Sequence, residues 1–404
     1  MSERLRRLLP SASDLQAIPT YVRYKPGTSC LVAYEVQRGD HTEDLYAKAF
    51  TVGSPKLRNA AVHSGESTGT PRVPHVWEDI ATHVSGPASD HDLKSLARMC
   101  DPQQRHELFQ RLLPEGTDFW DARVKRLRYK PERRYVAQLT TPAGAHALLK
   151  VYHAEDFLRA YLGASVAVMQ QLSPTSAMLA KSQRYHILVF RWARGQTLLE
   201  QLLTGSVDVS TIERLGERLV QLHLHTVPDA DLPWLTPTAM AERLYAAAQS
   251  VAAVCPPFAD QAARLVRRIS TRLPLVDVPT RYGMIHGDFK PDQVMCGDGE
   301  VTLLDFDQAC QGDYAADLGS FAAQLEHGAL MRTWSMADVG QVMTRLIRCY
   351  SHLHDATLER RVRLYTAAGL LLLAPHEFRN RTPDWIATTS TVLDRSERLI
   401  SYAG

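Results

Sequence analysis

The sequence lacks any hydrophobic run long enough to cross a membrane. Its longest strongly apolar stretch, Ala367 to Ala374, is ended by Pro375 and falls far short of the ~20 residues a bilayer span requires. It also lacks an excess of charge of one sign. In 404 residues, 46 basic side chains face 44 acidic ones, a formal charge of +2. Such a chain carries no basic stripe to grip nucleic acid, and it argues against polycationic substrates. Cysteine is scarce: Cys30, Cys100, Cys255, Cys296, Cys310 and Cys349 make no CxxC pair, and no histidine completes a zinc spacing. They are expected to be reduced packing residues. The opening MSERLRRLLPSASD is basic but has no apolar signal-peptide core. These absences predict a soluble, cytoplasmic protein without a nucleic-acid or membrane partner; no readable pattern sets its oligomeric state.

What is present, first, is a repeat. VRYKP (Val22 to Pro26) returns as LRYKP (Leu127 to Pro131). Each copy is followed by a β-rich run, LVAYEV from Leu31 or YVAQL from Tyr135, then by a polar turn and a segment bearing a lysine, Lys48 or Lys150. Each copy therefore predicts three short strands with a lysine on the third. SGESTGTP (Ser64 to Pro71) reads as a linker, and residues 90–113 as helical. Beyond Lys150, Ala154 to Leu172 has helical spacing, HILVF (His186 to Phe190) reads as a buried strand, and helices dominate from there. Ser210 with Glu213 suggests a capping box, and helical patterns recur near 258–272, 338–355, 357–373 and 388–402. A chain of this length suits two or three structural units. The architecture expected is α+β, a strand-rich front and a helical back with a cleft between them.

The segment Met284 to Gly319, MIHGDFKPDQVMCGDGEVTLLDFDQACQGDYAADLG, carries the chemistry. Met284 and Ile285 end a strand, His286 to Pro291 form a polar loop, and VTLLDF (Val301 to Phe306) returns as a strand ending in a carboxylate. The hairpin brings Asp305 toward Asp288 and Gln293. Phosphoryl transfer from ATP needs a base for the attacking hydroxyl, oxygens for a metal and a cation for the phosphates. Asp288 suits the first role and Asp305 with Gln293 the second, since magnesium prefers oxygen ligands. Lys150 suits the third.

HGDFKPDQ followed by LLDFD resembles the signature of the aminoglycoside phosphotransferase and choline kinase-like families, relatives of protein kinases. The trailing GDYAADLG is similar to their GDPxxDLA, and the motifs cover about residues 124–320. The resemblance implies a bilobal protein-kinase-like fold: residues 1–75 an N-terminal cap duplicating N-lobe strands, 76–196 linker helices and N-lobe with hinge, and 197–404 a helical C-lobe. It implies ATP and Mg2+ as cofactors and a small-molecule hydroxyl as acceptor. Asp288 would be the base, Asp305 the principal metal ligand beside Gln293, and Lys150 the holder of the α- and β-phosphates. Phe190, Arg191 and Trp192 would line the adenine segment, and Asp317 would brace the catalytic loop.

The departures from the pattern are informative. Gln293 replaces the family's asparagine and resembles a maltokinase-like branch, which points to a sugar, amino sugar or related metabolite. Lys290 either reaches the transferred phosphate or is a solvated loop lysine. Glu155 is the one helix glutamate placed to pair with Lys150, and PERRY (Pro131 to Tyr135) stands where a glycine-rich loop would be. His286 reads as a bracing residue, Asp307 and Asp313 as helix caps, and the copy bearing Lys48 as a structural cap. The alternatives are an antibiotic (aminoglycoside-type) or protein kinase, and a nucleotide-binding pseudokinase or scaffold.

Overall fold

A computed structural model of the chain describes residues 3–5, 15–39, 41–57, 74–114, 118–169, 177–224, 232–274 and 282–401. The SGESTGTP linker lies outside the described residues. The chain divides into two compact units, Met1–Phe157 with Met178–Arg191, and Leu158–Ala177 with Trp192–Gly404.

The first unit holds two five-stranded antiparallel sheets built alike. Strands β1 (Gln16–Lys25), β2 (Ser29–Arg38), β3 (His41–Phe50), β4 (His75–Trp77) and β5 (Thr82–Ser85) lie in the order β1-β2-β3-β5-β4. Strands β6 (Arg123–Lys130), β7 (Arg134–Thr140), β8 (His146–Tyr152), β9 (Met178–Ser182) and β10 (Ile187–Arg191) repeat it as β6-β7-β8-β10-β9. The repeated pentapeptide marks the first hairpin of each. Lys25-Pro26-Gly27-Thr28 and Lys130-Pro131-Glu132-Arg133 both close with an N–H to C=O bond of 3.0 Å. Proline second and a positive φ third are the habit of a type II turn; φ is +65° at Gly27 and +64° at Glu132. The helical stretch expected at 90–113 is two helices, α1 (Ser95–Cys100) and α2 (Pro102–Leu112), because Asp101 caps the second through the amide of Gln104 at 2.8 Å. Leu31 and Tyr46 of the first sheet, Leu96 and Phe109 of the helices and Leu139, Leu149 and Val189 of the second sheet share one core.

Charged groups also tie the two sheets together. Glu132 accepts from Lys48 at 2.7 Å and from Arg23, and Arg126 donates to Asp44 at 2.7 Å and to Glu35. Asp90 accepts from the Tyr129 hydroxyl at 2.8 Å and the Glu132 amide at 2.9 Å. Burial dominates at Asp44: despite Arg126 its pKa is raised to about 6, Glu35 adding to the rise.

Helix α3 (Ala154–Met169) begins in the first unit and continues into the second. The second unit is mostly helical: α4 (Leu198–Thr204), α5 (Val209–Leu224), α6 (Pro237–Val254), α7 (Ala259–Arg272), α8 (Ala315–Leu330), α9 (Met336–Arg348), α10 (Leu358–Leu373), α11 (His376–Arg379) and α12 (Trp385–Ser401). Apolar faces at helical spacing bury Leu215, Leu219, Leu265, Ile269, Phe321, Leu346 and Leu370 in one core. The capping box expected at Ser210 does not form. The helix already starts at Val209, which puts Ser210 inside it, and the Ser210 hydroxyl donates to the Asp208 carboxylate instead. Capping boxes occur at Thr197 with Glu200 and at Ser335 with Asp338. Among the described residues no helix is long and apolar enough to cross a membrane.

Candidate active site

Three short strand pairings frame the conspicuous segment. Strand β12 (Gly283–Ile285) pairs with β15 (Cys310–Gly312), β13 (Val294–Gly297) pairs with β14 (Glu300–Leu303), and β11 (Gln196–Thr197) pairs with β13. The loop from His286 to Gln293 connects β12 to β13. Its first two amides, from His286 and Gly287, donate to the two oxygens of Asp317 at 2.6 and 2.9 Å. Gly287 has φ +78°, and a Cβ there would lie 2.1 Å from the Gln308 carbonyl oxygen, so only glycine fits this turn.

Asp317 is fully buried on α8, which alone would raise its pKa. The His223 hydrogen bond and charge, with His286 and its backbone amide, outweigh burial and hold the group below the usual carboxylate range. His223 Nε2 lies 3.1 Å from Asp317 Oδ2, and the Tyr350 hydroxyl lies 2.7 Å from His223 Nδ1. A carboxylate only accepts, so Nε2 carries a proton toward Asp317, while the Tyr350 hydroxyl pairs with Nδ1. Burial keeps the Tyr350 phenol protonated, its pKa far above the ordinary range. The loop is thus braced by a chain of buried polar groups reaching from α8 through α5 to Tyr350, two residues beyond α9.

His286 is itself buried, donating through Nε2 to the Leu304 carbonyl at 2.7 Å and lying against Phe306 at a ring separation of 4.9 Å. These contacts make it a structural residue. The Leu304 amide returns a bond to the Gln293 carbonyl at 2.8 Å, locking the loop to the end of β14. The strand expected to run to Phe306 stops at Leu303, because Asp305 takes a left-handed conformation (φ +66°, ψ +58°) and starts a 3-10 turn at Phe306–Gln308. An L-residue held there costs about 1–2 kcal/mol.

Asp288, Lys290 and Gln293 come together at the loop's far end. Gln293 Nε2 donates to Asp288 Oδ2 at 3.2 Å, and Lys290 Nζ lies 3.4 Å from the same oxygen. The Gln293 side chain is buried, and its Oε1 has no hydrogen-bond partner among the described residues. An uncompensated buried carbonyl oxygen is costly, unless something electropositive binds there. Asp313 is not on this face. It accepts the Ala315 amide at 2.9 Å and the buried Arg361 guanidinium at 2.9 Å, so it ties the helix start to α10. Asp307 is buried beside Phe306.

Lys150 and Phe190 belong to the first unit. Lys150 sits mid-strand in β8, 5% exposed, with its ammonium 5.4 Å from the Phe190 ring centroid. Arg191 is exposed at the end of β10, and Trp192 is half-buried at the start of the second unit. Glu155 does not pair with Lys150; its carboxylate is exposed and approaches His153 at 3.9 Å. The cysteines are free thiols, and burial pushes Cys310 up to about 12, leaving it chemically quiet. The sequence reading missed His223, Tyr350 and Arg361. The one available signal was a histidine on the apolar face of α5, which marks burial without revealing its partner.

No curated protein matches the sequence. Among solved structures, an amicoumacin kinase in complex with AMP-PNP, Ca2+ and Ami is similar at 12% identity and a TM-score of 0.53, covering 76% of this chain and 95% of that one. An ethanolamine kinase from Plasmodium vivax is similar at 9% identity and 0.53, covering 75% and 97%. A choline kinase from Cryptosporidium parvum Iowa II is similar at 9% and 0.53, covering 75% and 96%. At such identities the likeness establishes the fold, a protein-kinase-like α+β arrangement with antiparallel sheets preceding a helical region. The model of APH, the phosphotransferase enzyme family, matches residues 113–365, more than half of the chain. The chain belongs to this family of ATP-dependent phosphotransferases that act on small molecules.

Proposed function

We propose that the chain transfers the γ-phosphate of ATP to a hydroxyl of a sugar, amino sugar or related metabolite. The observation that carries the reading is the triad at the loop's end, Asp288 bonded by Gln293 at 3.2 Å and flanked by Lys290 at 3.4 Å. Asp288 accepts the proton of the attacking hydroxyl. Its carboxylate is half exposed, and the Gln293 amide fixes one of its oxygens. Lys290 stands where its ammonium would move from Asp288 onto an oxygen of the transferred phosphate as negative charge gathers there. Lys150, on a rigid central strand, holds the α- and β-phosphates, and Phe190 to Trp192 supply the adenine segment.

Gln293 Oε1 and Asp305 are the oxygens that would hold a divalent cation, Mg2+ by preference. The buried, unpartnered Oε1 fits such a group. Magnesium favours sites of one or two protein oxygens completed by water and phosphate. Bound there, the cation supplies charge neutralisation across the phosphates.

The sugar-like acceptor is supported by Gln293 in place of asparagine and by the balanced charge of the chain, which offers little to a polycation. The test is product formation from ATP with sugars, amino sugars, aminoglycosides and choline, followed by mass spectrometry with Mg2+ present or chelated. A phosphomonoester of a sugar or amino sugar, formed only with the metal, is expected. Phosphorylation of aminoglycosides or choline alone would overturn the acceptor class, and nucleotide binding without any product would overturn transfer.

A further inference from the structure

A pocket of about 390 Å3 opens within the first unit, and none of the residues given a catalytic, metal, phosphate or adenine role above lines it. Its volume is at the lower end of the ~300–1,000 Å3 typical of small-molecule sites. The walls come from four places: the segment before and within α1 (His91, Lys94, Arg98), the end of β8 (Tyr152), the start of α3 (His153, Ala154) and the β9–β10 turn (Arg184, Tyr185, His186). Three permanent cations and three histidines face a single carboxylate, Asp92. In a chain whose overall charge is balanced, this is a marked local concentration of one sign.

Several features keep these cations apart and ready for an anion. Arg98 and Arg184 both lie against the Tyr185 ring, at 6.0 and 5.4 Å from its centroid. Aromatic contact holds a guanidinium without consuming its N–H donors, which remain available in a planar fork suited to phosphate. Among the described residues, no carboxylate forms an ion pair with Lys94, Arg98 or Arg184. The turn that presents Arg184 and Tyr185 ends in a left-handed His186 (φ +51°) whose carbonyl accepts from the Tyr152 amide at 3.0 Å, fixing it to β8. The pocket also meets the first residue of the 16-residue helix α3, where backbone amides and the helix dipole favour negative charge. Burial, then His153 and Lys94, push the His186 pKa down, as expected where positive potential gathers without a counter-ion.

We infer that this pocket is a binding site for a small phosphorylated anion, held by the forked donors of Arg98 and Arg184 and by the Lys94 ammonium. The site is separate from the phosphate-holding role of Lys150. An occupant would rest on Tyr152, two residues further along the same strand, and on the start of the helix that follows it.

The test is calorimetric titration of the full-length protein with inorganic pyrophosphate and, separately, with glucose 6-phosphate and a phosphoserine peptide. It is run in EDTA at constant ionic strength, with sulfate as the comparison anion. Pyrophosphate or glucose 6-phosphate should bind at least ten-fold more tightly than sulfate. Arg98→Gln with Arg184→Gln should weaken that binding at least ten-fold, Lys94→Gln by a smaller factor, and Lys150→Met should leave it unchanged. The double arginine variant should keep its melting temperature within a few degrees and its ATP turnover within two-fold, which separates loss of the site from loss of the fold. Should the double variant unfold, Lys94→Gln alone decides, since Lys94 is exposed. Binding no tighter than sulfate, or binding abolished by Lys150→Met and kept by the arginine and lysine variants, would overturn the inference. Preference for the phosphopeptide by more than ten-fold would overturn the small-molecule assignment.

Discussion

The two five-stranded sheets of the first unit share strand order, the four residues RYKP and a lysine on the third strand, yet the two lysines meet different fates. Lys48 is bonded by the carboxylate of Glu132 at 2.7 and 2.8 Å, across the seam between the sheets. Lys150 is buried against Phe190. The first hairpin turns differ in the same sense. Where the first sheet has Gly27, free to adopt a positive φ, the second has Glu132 in the same conformation. An L-residue there costs about 1–2 kcal/mol, offset by the bonds that its carboxylate and amide make to Lys48, Arg23 and Asp90. One lysine and one turn of the duplicated pattern have become the fastening of the other copy. Duplication thus separates the tasks: one sheet supports, and the other is left to carry the proposed phosphate-holding lysine.

Within this comparison, the largest expected effect is on the asymmetry of function. Lys150→Met should lower kcat/KM for ATP at least 100-fold, about 3 kcal/mol in transition-state stabilisation, with an unchanged or raised melting temperature. Lys48→Met should leave turnover within two-fold. Equal losses in steady-state kinetics from the two variants would erase the distinction.

Next is the fastening itself. Glu132→Gln strands two cations at a seam where the carboxylate is 14% exposed, and should cost about 1–3 kcal/mol in urea unfolding. Glu132→Gly loses the same ion pairs but relieves the strained turn, so it should be about 1 kcal/mol less damaging than a strained replacement. A glycine variant worse than the glutamine one would contradict the account of the turn. Lys48→Met removes one of the two cations on Glu132 and should cost about 1 kcal/mol.

The last effect is a pH dependence at Asp44, whose pKa of about 6 in the folded protein exceeds its ordinary 3.8. A carboxyl shifted this way contributes stability below about pH 4 and loses it as pH rises through 6. Relative to Asp44→Asn, wild type should therefore lose about 2–3 kcal/mol between pH 4 and 7. A difference that grows in favour of wild type over that window would mean that Arg126, not burial, governs the group.

Much of this was legible in the sequence because it is local. The repeated pentapeptide and its spacing foretold three strands and a lysine in each copy, and both sets form. The remaining two strands of the first sheet, HVW and THVS, are too short to carry a period. The loop from His286 to Gln293 could be read because glycine, proline and the strand ends punctuate it. Asp317 was legible as its brace only through the family resemblance. His223 and Tyr350 were not, since their bonds span 94 and 127 residues and leave no local pattern. The end of β14 was misplaced because VTLLDF reads as one strand-like run, whereas Asp305 takes a left-handed conformation that no local pattern announces. Ser210 failed as a cap because Asp208, two residues earlier, competes for its hydroxyl.

The central claim is that Asp288 takes the proton of the acceptor hydroxyl, and comparing wild type with Asp288→Asn tests it most directly. Phosphorus NMR of transfer from ATP to the acceptor should show a phosphomonoester accumulating with wild type. The rate should fall by at least a thousand-fold in the variant, as expected for loss of both base and orientation, while its melting temperature and nucleotide affinity stay within error. An Asp288→Asn protein that transfers phosphate at the wild-type rate would contradict the account.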